Sequence, residues 1–213
     1  MERKKNINLY IILFLIVMYI VGILGHSIES LRPVMFSLTP FTLLLTGGIV
    51  LYYETLKNEK RLIYWFVIAY LLTFIVESIG TKTGLIFGSY VYGKTLGFKL
   101  FDVPLIIGFN WVLVILGGIS ISKRFVKNEL MIALITGFLA VVFDYLLEPV
   151  AVMFDYWTWE NSVIPIQNYI AWFVISFALS YSLIKVRLEI KTVLPANYFV
   201  IQALFFFLIR VTV

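Results

Sequence analysis

Apolar residues fall in seven long runs separated by short polar breaks, at 8–25, 34–53, 62–79, 104–122, 130–150, 166–184 and 194–210. Each run is long enough to cross ~30 Å of hydrocarbon at about 1.5 Å per helical residue. None shows the apolar–polar alternation of a barrel strand, and lipid offers the backbone no hydrogen-bond partner, so seven helices are predicted. No repeat, low-complexity tract or linker interrupts them, and residues 1–213 read as one all-α polytopic membrane domain. Gly47, Gly48, Gly117 and Gly118 lie inside spans, where close helix contact is expected.

Two connecting segments differ from the rest. Residues 80–103 hold Gly84, Gly88, Tyr90, Tyr92, Gly93, Gly97 and Phe98. A short aromatic run, a glycine-bounded turn and a second apolar run predict a β-hairpin there. Residues 155–165 are again aromatic and turn-rich, with Trp157 and Trp159. Irregular backbone near lipid survives only where protein covers it, so both segments are expected to fold over the helix ends as a lid. A belt of aromatics at the membrane surface is the plainer reading of Trp157, Trp159 and the tyrosines.

Composition excludes a water-soluble domain: 62% of residues are hydrophobic, 14% are charged and the mean hydropathy is +0.98. The net charge of +5 is spread over short loops and forms no single basic stripe, which argues for a bilayer surface and against nucleic acid. Arg3, Lys4, Lys5, Lys57, Lys60, Arg61, Lys123, Arg124, Lys127, Lys185, Arg187 and Lys191 fall on one side of the spans, twelve against five on the other (Arg32, Lys82, Lys94, Lys99 and Arg210). That bias predicts a cytoplasmic N-terminus, an outer C-terminus and residence in the cell membrane. The basic start followed by an apolar run imitates a signal peptide, but no small-x-small cleavage site accompanies it, so a retained first helix is expected.

The chain has no cysteine, and His26 is its only histidine. A metal site and a Ser-His-Asp triad are therefore not expected, and His26 reads as a hydrogen-bonding residue at the outer end of the first span. Residues 194–210 contain no lysine for a retinal Schiff base, and the paired Asp-rich motif of a membrane prenyltransferase is missing.

The chemistry lies in the acids. A carboxylate at membrane depth costs roughly 2.5–3.5 kcal/mol on insertion scales and usually has a task. Glu77, Asp144 and Glu148 sit near the outer ends of spans three and five, in one depth zone. Asp144 and Glu148 are four apart, so on a helix both face the same way. Two adjacent carboxyls in a low-dielectric site cannot both ionise cheaply, so one is expected to keep its proton and serve as a general acid. Hydrogen bonds from Asn110, Asn168, tyrosines or tryptophans in a packing network would explain the same acids without catalysis. Pro149 is expected to bend or end its helix directly after Glu148. Glu54, Glu59, Glu129 and Glu189 read as ordinary loop acids on the other side, so the remaining acids form a one-sided cluster and not a path across the bilayer.

The run Glu77, Gly80, Gly84, Gly88, Tyr90 and Tyr92, followed by Gly97, Val103, Pro104, Asn110 and Trp111, resembles the membrane carotenoid hydratase family. So does a second block of Asp144, Glu148, Pro149, Ala151, Trp157, Trp159, Pro165, Asn168 and Trp172. The resemblance covers roughly residues 73–173 and departs from the pattern at Val163, where a glycine is expected, and at Asp155, where a small residue is expected. It includes carotenoid 1,2-hydratases of the lycopene and γ-carotene type and the bisanhydrobacterioruberin hydratase type. The resemblance implies cofactor-free, acid-catalysed addition of water to the terminal C1,2 double bond of an acyclic carotenoid dissolved in the bilayer. In that reading Glu77, Asp144 and Glu148 are catalytic, while Tyr90, Tyr92, Asn110, Trp111, Trp157, Trp159, Asn168 and Trp172 bind substrate and shelter the cation. A carotenoid end-group cyclase and a membrane transporter or lipid-binding protein are the alternatives.

Overall fold

A computed structural model describes residues 2–57 and 60–213 of the chain, with side chains from Ile7 onward, so Glu59 and the side chains of Arg3, Lys4 and Lys5 lie outside the described residues. Among the described residues seven helices are long and apolar enough to cross a membrane. They are α1 (Glu2–Ser27), α2 (Arg32–Lys57), α3 (Arg61–Thr83), α4 (Leu105–Ser122), α5 (Glu129–Met153), α6 (Ile166–Lys185) and α7 (Leu194–Thr212). The protein is an all-α multi-pass membrane fold. Each predicted span lies within its own helix, apart from Pro104, the N-cap of α4.

The apolar helix α4 is the central post and packs against α2, α3, α5, α6 and α7. The most extensive helix pairing is α5 against α6, and α1 is held by α7 and α2. Small residues permit these approaches. A Cβ on Gly117 would stand 2.6 Å from the Cβ of Phe199, and one on Gly118 would stand 2.9 Å from Cγ2 of Thr136. A Cβ on Gly47 would meet Leu113 and Phe109, whereas one on Gly48 would point into open space.

Two expectations are corrected. Pro149 does not end α5, which continues through it to Met153. Proline removes only the one bond to the carbonyl four residues back, and the turn is held by Val150 and Ala151, both fully buried. Glu54 is not a loop acid. It is fully buried in α2 and accepts hydrogen bonds from Lys191 N (2.5 Å), Thr192 N (3.0 Å) and Thr192 Oγ1 (2.6 Å), fixing the α6–α7 connection. At that same end of the bundle Arg61 donates to Val186 O at 2.7 Å and Lys185 pairs with Glu129 at 2.7 Å.

The opposite end carries four short strands, β1 (Tyr90–Tyr92), β2 (Lys99–Leu100), β3 (Val103–Pro104) and β4 (Trp157–Trp159). A tight hairpin does form inside the first long loop, between β2 and β3, but the aromatic run pairs elsewhere. β1 runs antiparallel to β4, placing Tyr90 opposite Trp159 and Tyr92 opposite Trp157. This pairing lets alternate aromatics on both strands share one buried face, with Val91 and Thr158 turned outward. Bonds from Gly93 N to Tyr156 O and from Glu160 N to Ser89 O, each 2.9 Å, extend the ladder at both ends.

Candidate active site

The β1–β4 ribbon delivers four polar aromatic tips onto two helices. From β1, the hydroxyls of Tyr90 and Tyr92 both donate to Oε2 of Glu77 on α3, the second at 2.9 Å. From β4, the indole N–H groups of Trp157 and Trp159 both donate to Oε2 of Glu148 on α5, at 3.0 and 2.7 Å. Period-two alternation explains why residues two apart reach the same oxygen, since both side chains stand on one face of the strand. Burial first, and the Glu77 carboxyl second, push both tyrosine hydroxyls well above the usual tyrosine range, so they remain donors.

Asp144 and Glu148, one turn apart on α5, are joined by a third element. Asn168, in the first turn of α6, is 2% exposed and directs its amide nitrogen to Oδ2 of Asp144 at 2.6 Å and to Oε1 of Glu148 at 3.1 Å. One turn further along α6, Trp172 stacks on Trp111 of α4 with ring centroids 3.5 Å apart and planes 13° from parallel. Phe87 covers Trp172 at 5.2 Å.

Glu77, Asp144 and Glu148 are each at most 2% exposed. With Tyr90, Tyr92, Trp111, Trp157, Trp159, Asn168 and Trp172 they enclose a cavity of about 10 Å³, close to the space of one water molecule. Trp157 and Trp159 are therefore buried in the site and do not form a surface belt. Among the described residues no group of three or more His, Cys, Asp or Glu has a metal-holding arrangement.

The protonation demands of the two α5 acids differ. Glu148 receives three N–H donors over its two oxygens, a set that suits a carboxylate. Asp144 receives one, on Oδ2, which leaves Oδ1 with no donor from the protein. The arrangement can therefore hold one negative charge firmly beside one carboxyl able to keep and release a proton.

Of the sequence-predicted residues, Asn110 alone is not brought to the acids. It lies on another face of α4, where its Oδ1 accepts from Tyr198 OH and Gln202 Nε2, both at 3.0 Å. Gln202 also donates to Tyr19 OH at 2.7 Å, completing a buried polar cluster that was not anticipated. Its signal in the sequence was the four-residue spacing of Tyr198 and Gln202 inside a mostly apolar run. His26 does hydrogen-bond at the end of α1, with Nδ1 2.7 Å from Gly22 O, and its ring also stacks on Phe154 at 4.4 Å.

A family model described as carotenoid biosynthesis protein matches residues 38–213, a stretch that includes all three acids and every aromatic residue around them. No curated protein and no solved structure matches the chain.

Proposed function

The chain belongs to the carotenoid biosynthesis protein family, and from that premise we propose that it is a carotenoid hydratase. It adds water to the terminal C1,2 double bond of an acyclic end group and leaves a tertiary alcohol. The observation that carries this reading is the unequal engagement of Asp144 and Glu148 in one buried pocket: a carboxylate holding three N–H donors stands beside a carboxyl with an uncommitted oxygen.

In this mechanism Asp144 delivers its proton to C2 of the alkene, and the positive charge develops at C1, the carbon that bears two methyl groups. Glu148 stays ionised and stabilises that charge electrostatically. The ring faces of Trp157 and Trp159 add contacts of roughly 0.5–2 kcal/mol each. A water held beside Glu77 attacks C1, its oxygen forms the new C–O bond, and its surplus proton passes to the free oxygen of Glu77. Return of that proton to Asp144 restores the starting state with one water consumed. Tyr90 and Tyr92 hold the other Glu77 oxygen, so the free one keeps a fixed direction.

A cavity that accommodates one water limits competing fates of the cation and favours capture by water over ring closure. The lysine and arginine bias supports a cytoplasmic N-terminus and a pocket just beneath the outer face of the cell membrane. Expression in a lycopene-accumulating host tests the reading by pigment mass. Products heavier by one or two waters are expected. Unchanged lycopene beside well-folded protein overturns the proposal, and a product isomeric with lycopene replaces hydration with cyclisation.

A further inference from the structure

A second cavity, of about 140 Å³, lies between α1, α2, α4 and α7, and no step above uses it. Its lining is mostly aliphatic and aromatic, the character of a site for an elongated apolar ligand. Val21 of α1 and Leu38 of α2 line it and are half exposed, so the cavity is open to the surface of the bundle beside these two helices. On its inner side it is bounded by Leu147, next to Glu148, and by Trp157, which also walls the carboxyl pocket. A chain entering from the bilayer would therefore arrive against the indole that separates it from the acids. The carboxyl pocket by itself is too small for a branched alkene end.

The cavity also holds a polar group without a partner. His26 is 4% exposed, and its Nε2 makes no hydrogen bond within the protein. Its Nδ1 faces the carbonyl of Gly22 and so carries the ring hydrogen, which in the neutral imidazole leaves Nε2 as an acceptor. An unsatisfied acceptor costs free energy in so apolar a setting, and only an O–H or N–H donor relieves it. We propose that this cavity is the uptake compartment for the isoprenoid chain, and that His26 within it accepts a hydrogen bond from a hydroxyl carried by that chain. The choice of an isoprenoid rests on the family reading. The chemistry of the acceptor does not.

The test is a binding measurement that needs no turnover. The full chain in lipid nanodiscs is titrated with lycopene and with 1-hydroxylycopene, and quenching of tryptophan emission by the polyene is recorded. The wild-type protein is expected to bind the hydroxylated probe about fivefold more tightly, the worth of one net hydrogen bond. His26→Phe keeps the stack on Phe154, should bring that ratio to about one, and should leave lycopene affinity unchanged. Leu38→Phe and Thr42→Phe, two independent fillings of the cavity, should each weaken both probes about tenfold or more while far-ultraviolet circular dichroism stays at the wild-type signal. Equal wild-type affinities, or a ratio that survives His26→Phe, overturn the role of His26. Either folded filling variant binding both probes like the wild type overturns the compartment. A water resident on His26 in place of the ligand hydroxyl gives the equal-affinity result. Tight cavity binding without hydrated pigment would remove the hydratase reading and leave this inference standing.

Discussion

Each of the α5 acids is tied by what donates to it. Removing the Asp144 carboxyl proton with Asp144→Asn preserves size and the contact to Asn168 but leaves no acid for the alkene. Hydration is expected to fall by roughly 10²–10⁴-fold, the usual worth of a positioned general acid, with normal folding by size-exclusion elution. Glu148→Gln is expected to lose activity and also stability, because its amide must turn an N–H toward one of three existing N–H donors. That conflict costs roughly 1–3 kcal/mol per stranded group, readable as a lower midpoint of thermal aggregation in detergent. Full activity in both variants, measured by pigment mass, would remove the pair from the mechanism.

The ribbon is an element built from two loops about 65 residues apart, as the pairing of Tyr92 with Trp157 requires. Its tightest point is Gly93, where a Cβ would collide with the backbone carbonyl of Asp155. Gly93→Ala is expected to cost about 1–3 kcal/mol by overpacking and to loosen β1 from β4. Limited proteolysis should then cut near residues 93–98 in the variant and spare the wild type. The same element marks the limit of sequence reading. The seven helices were legible because membrane length and backbone satisfaction leave one solution per apolar run. Glu77, Asp144 and Glu148 were legible because a buried charge is costly, and the four-residue spacing of the latter two fixed their common face. The pairing of β1 with β4 was not, since three-residue strands carry no register signal of their own and a partner inside the same loop looks equally good. Asn110 was assigned to the acids from its place beside Trp111, but adjacent helical positions point about 100° apart, and Asn110 turns to Tyr198 and Gln202 instead.

At the scale of the whole molecule, the two ends of the bundle are closed by different means. The ribbon closes one, while the other is tied by Glu54, which was read as a solvated loop acid because nothing local in Glu54–Lys57 announces that the α6–α7 connection folds over it. Glu54→Ala removes the acceptor of two backbone N–H groups and of the Thr192 hydroxyl, and leaves the buried Thr192 groups without it. A loss of roughly 1–3 kcal/mol for each group left dry is expected, with the thermal midpoint falling further than in Glu129→Ala, which removes only an exposed ion pair. Equal shifts in the two variants would refute the structural role of Glu54.

The ribbon also bears on how such a chain enters a bilayer during synthesis. Glu77 takes its two donors from residues 13 and 15 positions further on, and Glu148 takes two of its three from residues 9 and 11 further on. Glu77 thus leaves the ribosome followed closely by its own pair of hydrogen-bond donors, well before β4 exists, and Glu148 is followed in the same way by its two indoles when β1 is already made. Two self-sufficient hemispheres can be threaded into the membrane one after the other and need only zip together at the end.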